Sequence, residues 1–128
     1  MPSHRSRLCG VLVDVPAAGY DDDVAFWSAA LQRDGVPEDD DPTYTTYGEA
    51  TPGVEFMVQS VGDDRSRIHL DIETDDVAAE VARLEALGAT VVDRIETWVV
   101  MRDPVGIIFC VIRVQDANRF QAEAKTWT

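Results

Sequence analysis

The segments DDVAFWSAALQRDG (Asp22–Gly35) and DDVAAEVARLEALG (Asp75–Gly88) decide the fold, because they are one segment written twice. Aligned without gaps they agree at seven of fourteen positions: the leading Asp pair, the Val-Ala after it, a central Ala, a Leu and the closing Gly. Each copy follows a short β-like run, GVLVDV at Gly10–Val15 and HLDIET at His69–Thr74, and each is followed by further β-like runs. A strand–helix–strands unit repeated once implies two modules with pseudo-twofold symmetry and a cleft where they meet.

In the first module, Leu8–Val15 reads as a strand with Val11, Val13 and Val15 on one face and Gly10, Leu12 and Asp14 on the other. Pro16–Tyr20 is a loop. Asp22 or Asp23 then caps a helix running to about Asp34, with Gly35 as its stop. Val24, Trp27 and Leu31, broadened by Phe26 and Ala30, form its apolar stripe. Val36–Pro42 is an acidic loop, Thr43–Tyr47 is rich in β-formers, Gly48–Gly53 is a turn and Val54–Val61 is a strand. Gly62–Ser66 is a polar turn that sets Asp63 and Asp64 against Arg65 and Arg67.

The second module restarts at Ile68. His69–Thr74 alternates Leu70 and Ile72 against His69, Asp71 and Glu73. Asp75 or Asp76 caps a helix whose Val77, Val81 and Leu84 fall at helical spacing, and Leu87-Gly88 ends it. Thr90–Ile95, Thr97–Arg102 and Ile107–Val114 read as strands, with the turn Asp103-Pro104-Val105-Gly106 between the last two. Gln115–Thr128 is a polar tail, helical around Arg119–Lys125, whose Phe120 and Trp127 need cover.

Composition bounds the function. At 128 residues and 45% hydrophobic content the chain is one globular domain with a real core. No run approaches the roughly eighteen apolar residues of a membrane span, and MPSHRSRLCG lacks the apolar segment of a signal peptide, so a cytoplasmic protein is expected. A formal charge of -13 argues against nucleic acid. The acids cluster at Asp21–Asp23, Glu38–Asp41, Asp63–Asp64 and Asp75–Asp76, as solubilising groups and helix caps or as a field that draws cationic ligands. Alternation puts Cys9 and Cys110 on opposite faces of their strands, so no bridge between them is expected.

With RIHLDIETDD, VARLEALGA and WVVMRDPVGIIFCVI in its second half, and VLVDVP, AFW and VQSV in its first, the chain resembles the vicinal oxygen chelate superfamily. That superfamily holds glyoxalase I, the bleomycin-resistance proteins, the fosfomycin-resistance thiol transferases and the extradiol dioxygenases. The second half looks like the actinobacterial glyoxalase-like family. The resemblance covers roughly Leu8 to Arg113. It implies an α+β fold of two tandem βαβββ modules with curved mixed sheets enclosing a cleft, all in one domain over residues 1–128. Module one spans about residues 8–61, module two about 68–114, and the tail 115–128.

Metal-using members of this superfamily take ligands from the first and last strands of both modules. Carried over, those positions are Gly10, which has no side chain, Gln59, His69, and Cys110 in place of the usual Glu. This set does not make the usual glyoxalase-type site, so no metal and no other cofactor is expected, with His69 the one weak metal candidate. His69 reads as a polar anchor positioned by Asp71 or a neighbouring carboxylate, or as a histidine tied into the strand ladder. Cys110 is a small buried hydrophobe, or a thiol activated by His69. Trp27 and Trp98, like Tyr44 and Tyr47, are cleft walls or core.

The resulting expectation is a glyoxalase-like protein that binds a small organic molecule in the cleft, through Gly10, Trp27, Gln59, His69, Asp71, Trp98 and Cys110. Two alternatives stand beside it. One is a metal-dependent lyase or isomerase of the glyoxalase type. The other is a non-catalytic protein that sequesters a cationic antibiotic, as bleomycin-resistance proteins do. A homodimer with no nucleic-acid or membrane partner is expected, because edge strands and the tail aromatics need cover.

Overall fold

The computed structural model describes residues 2–49, 52–62 and 66–128, so the Asp63-Asp64-Arg65 turn and the middle of the Gly48–Gly53 turn lie outside the described residues. Chain order is β1 (His4–Pro16), α1 (Tyr20–Leu31), β2 (Val36–Pro37), β3 (Tyr44–Thr46), β4 (Glu55–Val61), β5 (Arg67–Thr74), α2 (Val77–Ala86), β6 (Thr90–Ile95), β7 (Trp98–Arg102), β8 (Ile108–Arg113), α3 (Ala117–Glu123) and β9 (Lys125–Trp127). This is βαβββ written twice, followed by a helix and a strand. The fold is α+β, as the repeat implies.

Pairing repeats as faithfully as the order. β1 pairs with β4 in parallel, while β3 pairs antiparallel with both β4 and β2. β5 pairs with β8 in parallel, and β7 pairs antiparallel with both β8 and β6. The chain divides into a unit of residues 10–69 and a unit of residues 1–9 with 70–128. β1 begins at His4, four residues before the predicted start, and its ends belong to different units.

In the unit of residues 10–69, Val15, Tyr47 and Val58 are buried, with Val13, Tyr20, Val24, Trp27 and Phe56 packed against them. Trp27 lies 5.1 Å from Phe56 and 5.2 Å from Phe26, centroid to centroid. Tyr47 buries its ring and satisfies its hydroxyl by donating to the Val24 carbonyl at 2.9 Å, with Ser28 Oγ at 3.0 Å. The predicted helical stripe is narrower than expected: Phe26 is 60% exposed, so Val24 and Trp27 carry the packing.

The limits of α1 also differ from the prediction. A 3₁₀ turn at Ala17–Gly19 runs into the helix, which therefore starts at Tyr20 with Gly19 as a cap that makes no side-chain bond. Asp21, Asp22 and Asp23 sit inside the first turn, where they favour the positive end of the helix dipole without capping it. The helix closes at Gln32, which takes the left-handed conformation (φ 50°), rather than at Gly35. Gly35 is required for space: a Cβ there would lie 2.5 Å from Thr45 Cγ2.

In the other unit, Val81, Val99, Met101, Phe109 and Val111 form the buried core, with Leu70, Ile72, Val77, Leu84, Ala89 and Val91 against it. Each such side chain contributes about 1.5–3 kcal/mol on burial. Of the two caps the sequence offers, Asp75 and Asp76, it is Asp76 that caps α2, accepting from the Ala79 N–H at 3.0 Å. Leu87 and Gly88 close the helix, Gly88 at φ 110°.

The tail is tied down inside this unit. β9 pairs with residues 4–6 of β1, Phe120 is 7% exposed, and Trp127 donates from Nε1 to Ser6 Oγ at 2.8 Å beneath the Arg83 guanidinium at 3.9 Å. Phe120 and Trp127 thus find their cover within the chain, and the argument from them to a partner subunit falls. Glu80, fully buried, accepts from Arg83 Nε and pairs with His4 Nε2, both at 2.8 Å. Burial pushes its carboxyl up, but hydrogen bonds from Arg83, His4 and Ser6 outweigh burial and hold it below the usual carboxylate range.

Candidate functional site

The face of β1 opposite Val13 and Val15 carries Gly10, Leu12 and Asp14. In register beside them on β4 stand Glu55, Met57 and Gln59, and beyond those, Tyr44 and Thr46 on β3. α1 packs on the other face, through Val24 and Trp27. The result is a helix-free strand face that lines up a row of polar groups across the unit of residues 10–69.

Asp14 is the centre of the row. It is 3% exposed. A carboxylate on a strand this deeply buried needs partners, and His69 supplies one, with Nδ1 at 2.5 Å from Asp14 Oδ2. Against an ionised carboxylate the matching tautomer has the Nδ1–H donating. Arg67 Nε lies 3.7 Å from the same oxygen. Asp14 Oδ1 is buried with no hydrogen-bond partner among the described residues. One register step away, Gln59 donates from Nε2 to Tyr44 Oη at 2.8 Å. Thr46 Oγ1 donates to Glu55 Oε1 at 2.5 Å farther along β4. The row Tyr44–Gln59–Asp14–His69 combines an imidazole, a carboxylate, an amide and a phenol on one sheet face. Such a set orients a ligand by hydrogen bonds.

Of the residues singled out from sequence, Gln59 and His69 join this row. Gly10 stands beside Glu55 in register, and Asp14, two pleats farther along β1, reaches His69 with its side chain. Trp27 belongs to the core between α1 and its strands, so it takes its core alternative. The other three fall in the second unit. Asp71 and Cys110 are register partners on β5 and β8, and Val100, next to Cys110 on β7, shares with Trp98 the strand face opposite buried Val99 and Met101. Neither Cys9 nor Cys110 is in a disulfide. Cys9 is buried, and burial followed by the charges of Glu73 and Asp71 pushes its thiol well up, which disfavours the thiolate.

Asp14 is the residue that sequence reasoning missed. Its signal was present: a single acid in the apolar run VLVDV, on the same alternating face as Gly10, which demands a partner from elsewhere in the chain.

Residues 10–112 match the glyoxalase-like domain family. The chain belongs to it. This glyoxalase-like protein has the vicinal oxygen chelate fold, as solved structures show. Methylmalonyl-CoA epimerase of Streptomyces coelicolor, solved with 2-nitronate-propionyl-CoA, aligns with a TM-score of 0.56 at 13% identity, covering 86% of this chain and 98% of that one. The Mycobacterium tuberculosis methylmalonyl-CoA epimerase gives 0.53 at 18%, covering 85% and 88%. A hypothetical protein of Bacillus halodurans gives 0.64 at 10%, covering 87% and 96%. No curated protein sequence matches the chain. At these identities the likeness concerns the fold. Among the described residues no helix is long and apolar enough to cross a membrane.

Proposed function

We propose that this glyoxalase-like domain binds a small organic molecule on the helix-free face of β1, β3 and β4, oriented by Tyr44, Gln59, Asp14 and His69. The observation that carries this is the buried Asp14–His69 pair, flanked in register by Gln59. A carboxylate and an imidazole taken out of water and fixed to each other are costly features for a fold to keep without use. They hold the imidazole in one tautomer and orientation, which is what selective recognition of a polar ligand requires.

The metal of the superfamily does not fit this face. Its one imidazole is closed onto its central carboxylate, and a guanidinium 3.7 Å from that carboxylate opposes a dication there. The reading therefore assigns no step to a metal.

Fragment screening by protein-observed NMR tests this reading. Hits are expected to shift the resonances of Leu12, Asp14, Tyr44, Gln59 and His69, and His69→Ala should weaken them by about tenfold or more, roughly 1.4 kcal/mol. Hits confined to other surfaces refute it.

A further inference from the structure

We infer that the ligand of this face is a small organic cation bearing two or more N–H donors, an amine, amidine or guanidine, directed at Asp14 Oδ1 and Gln59 Oε1. The inference deepens the function proposed above and rests on it. Two acceptors decide the chemistry. Asp14 spends Oδ2 on His69 and Arg67, while Oδ1 is buried without a partner among the described residues. A buried acceptor left unmade costs more than an ordinary hydrogen bond returns, so Oδ1 is a standing demand for a donor. Gln59 spends its amide N–H on Tyr44, which leaves its carbonyl oxygen as the group it presents to accept.

Asp14 and Gln59 are register partners on parallel strands, so their backbones run about 4.8 Å apart and both side chains stand on the same face. A carboxylate or phosphate ligand would bring lone pairs to lone pairs. A nitrogen centre with several N–H groups answers both at once, and charge strengthens each bond. Further carboxylates add to the field. Glu55 stands on the same face of β4, and Glu38 titrates above its usual value because of burial and then the charges of Glu55, Asp40, Asp39 and Asp41. Arg67 already shows what this carboxylate attracts. Its side chain, 38% exposed, brings Nε to 3.7 Å from Asp14 Oδ2. The ligand cation therefore competes with this guanidinium for the Asp14 carboxylate.

The test compares four probes that share one ring: benzamidine, benzylamine, benzyl alcohol and benzoate. Binding is followed by calorimetry and by the resonances of Gln59 and His69. Benzamidine and benzylamine should bind about tenfold or more tighter than benzyl alcohol, and benzoate should not bind. Arg67→Met should strengthen benzamidine by removing its competitor. Asp14→Asn, with folding checked by circular dichroism, should bring benzamidine and benzyl alcohol to within about threefold of each other. Should Asp14→Asn not fold, Gln59→Met, which keeps the carboxylate, must weaken benzamidine by about threefold or more. Benzoate or benzyl alcohol shifting Gln59 and His69 as strongly as benzamidine overturns the inference and leaves the proposed function standing. No probe shifting those residues also overturns it. The proposed function falls as well only if the fragment screen finds its hits elsewhere.

Discussion

Two helices of nearly the same sequence behave differently in this protein. Seven of fourteen residues are shared between Asp22–Gly35 and Asp75–Gly88, yet each helix is held by its own means. Asp76 caps α2, whereas its counterpart Asp23 lies within the first turn of α1 and caps nothing. The cause lies upstream: a 3₁₀ turn feeds α1 and moves its start back to Tyr20. Trp27 and Glu80, also counterparts, both turn toward their strands. The first fills its place with an indole against Phe56, the second with a buried carboxylate gripped by His4 and Arg83. Gly35 and Gly88 are the closing glycines of the repeat. Gly88 meets a backbone demand at φ 110°, and Gly35 meets a demand for room against Thr45 and Tyr47. A repeat in sequence therefore repeats the architecture and not the interactions that stabilise it.

The largest expected break in this comparison is Glu80→Ala. It strands His4 and Arg83 against each other and should cost about 3–5 kcal/mol in urea unfolding. Trp27→Ala, at a half-buried site without charge, should cost about 2 kcal/mol. A difference of the opposite sign would show that the ion network is dispensable. The same residue gives a pH signature that Trp27 lacks. Glu80 titrates at its ordinary 4.5 when unfolded and below that when folded. Its contribution is complete above about 4.5 and is lost as pH falls through the lowered folded value. Glu80→Gln should flatten the fall in stability between about pH 5 and 3.

A smaller effect separates the two glycines. Gly35→Ala should cost about 1–3 kcal/mol by overpacking, and the double substitution with Thr45→Ser, which removes Cγ2, should recover much of it. Gly88→Ala should cost about 1–2 kcal/mol mainly through backbone strain, and trimming Pro104, whose Cγ would lie 3.3 Å from the new Cβ, to Ala should recover only a small part of it. Equal rescue of both would refute the distinction.

The smallest contrast lies at the aspartates. Asp76→Ala should cost about 1 kcal/mol as a lost cap. Asp23→Ala should change stability by less than about 0.5 kcal/mol. It gives up a weak dipole interaction but also removes Oδ2, which is buried and unpartnered among the described residues. Thermal melts of the two variants side by side decide it.

Much of the second module was legible in the sequence, down to the Asp76 cap, the Leu87-Gly88 stop and the strand limits, because its signals are local: alternation, helical spacing and a turn rich in Asp, Pro and Gly. The first module was less legible. Pro16–Tyr20 carries no local mark of the 3₁₀ turn that displaces the helix start, and β9 gains its strand character only by pairing with β1. The candidate site divides in the same way. Gln59 and His69 could be named from strand alternation combined with the resemblance. Asp14, though placed on the correct face, was passed over because its partner lies 55 residues away.

The sequence by itself determined the class, the duplicated βαβββ order and the faces of most strands, since those follow from periods of 2 and 3.6 that each segment carries alone. Tertiary structure alone decided which β1 residue meets His69, why Gly35 must lack a side chain, and where Phe120 and Trp127 find cover. Each of these is a contact between segments far apart in the chain. Periodicity fixes the direction in which a side chain points, and only packing supplies what it meets there.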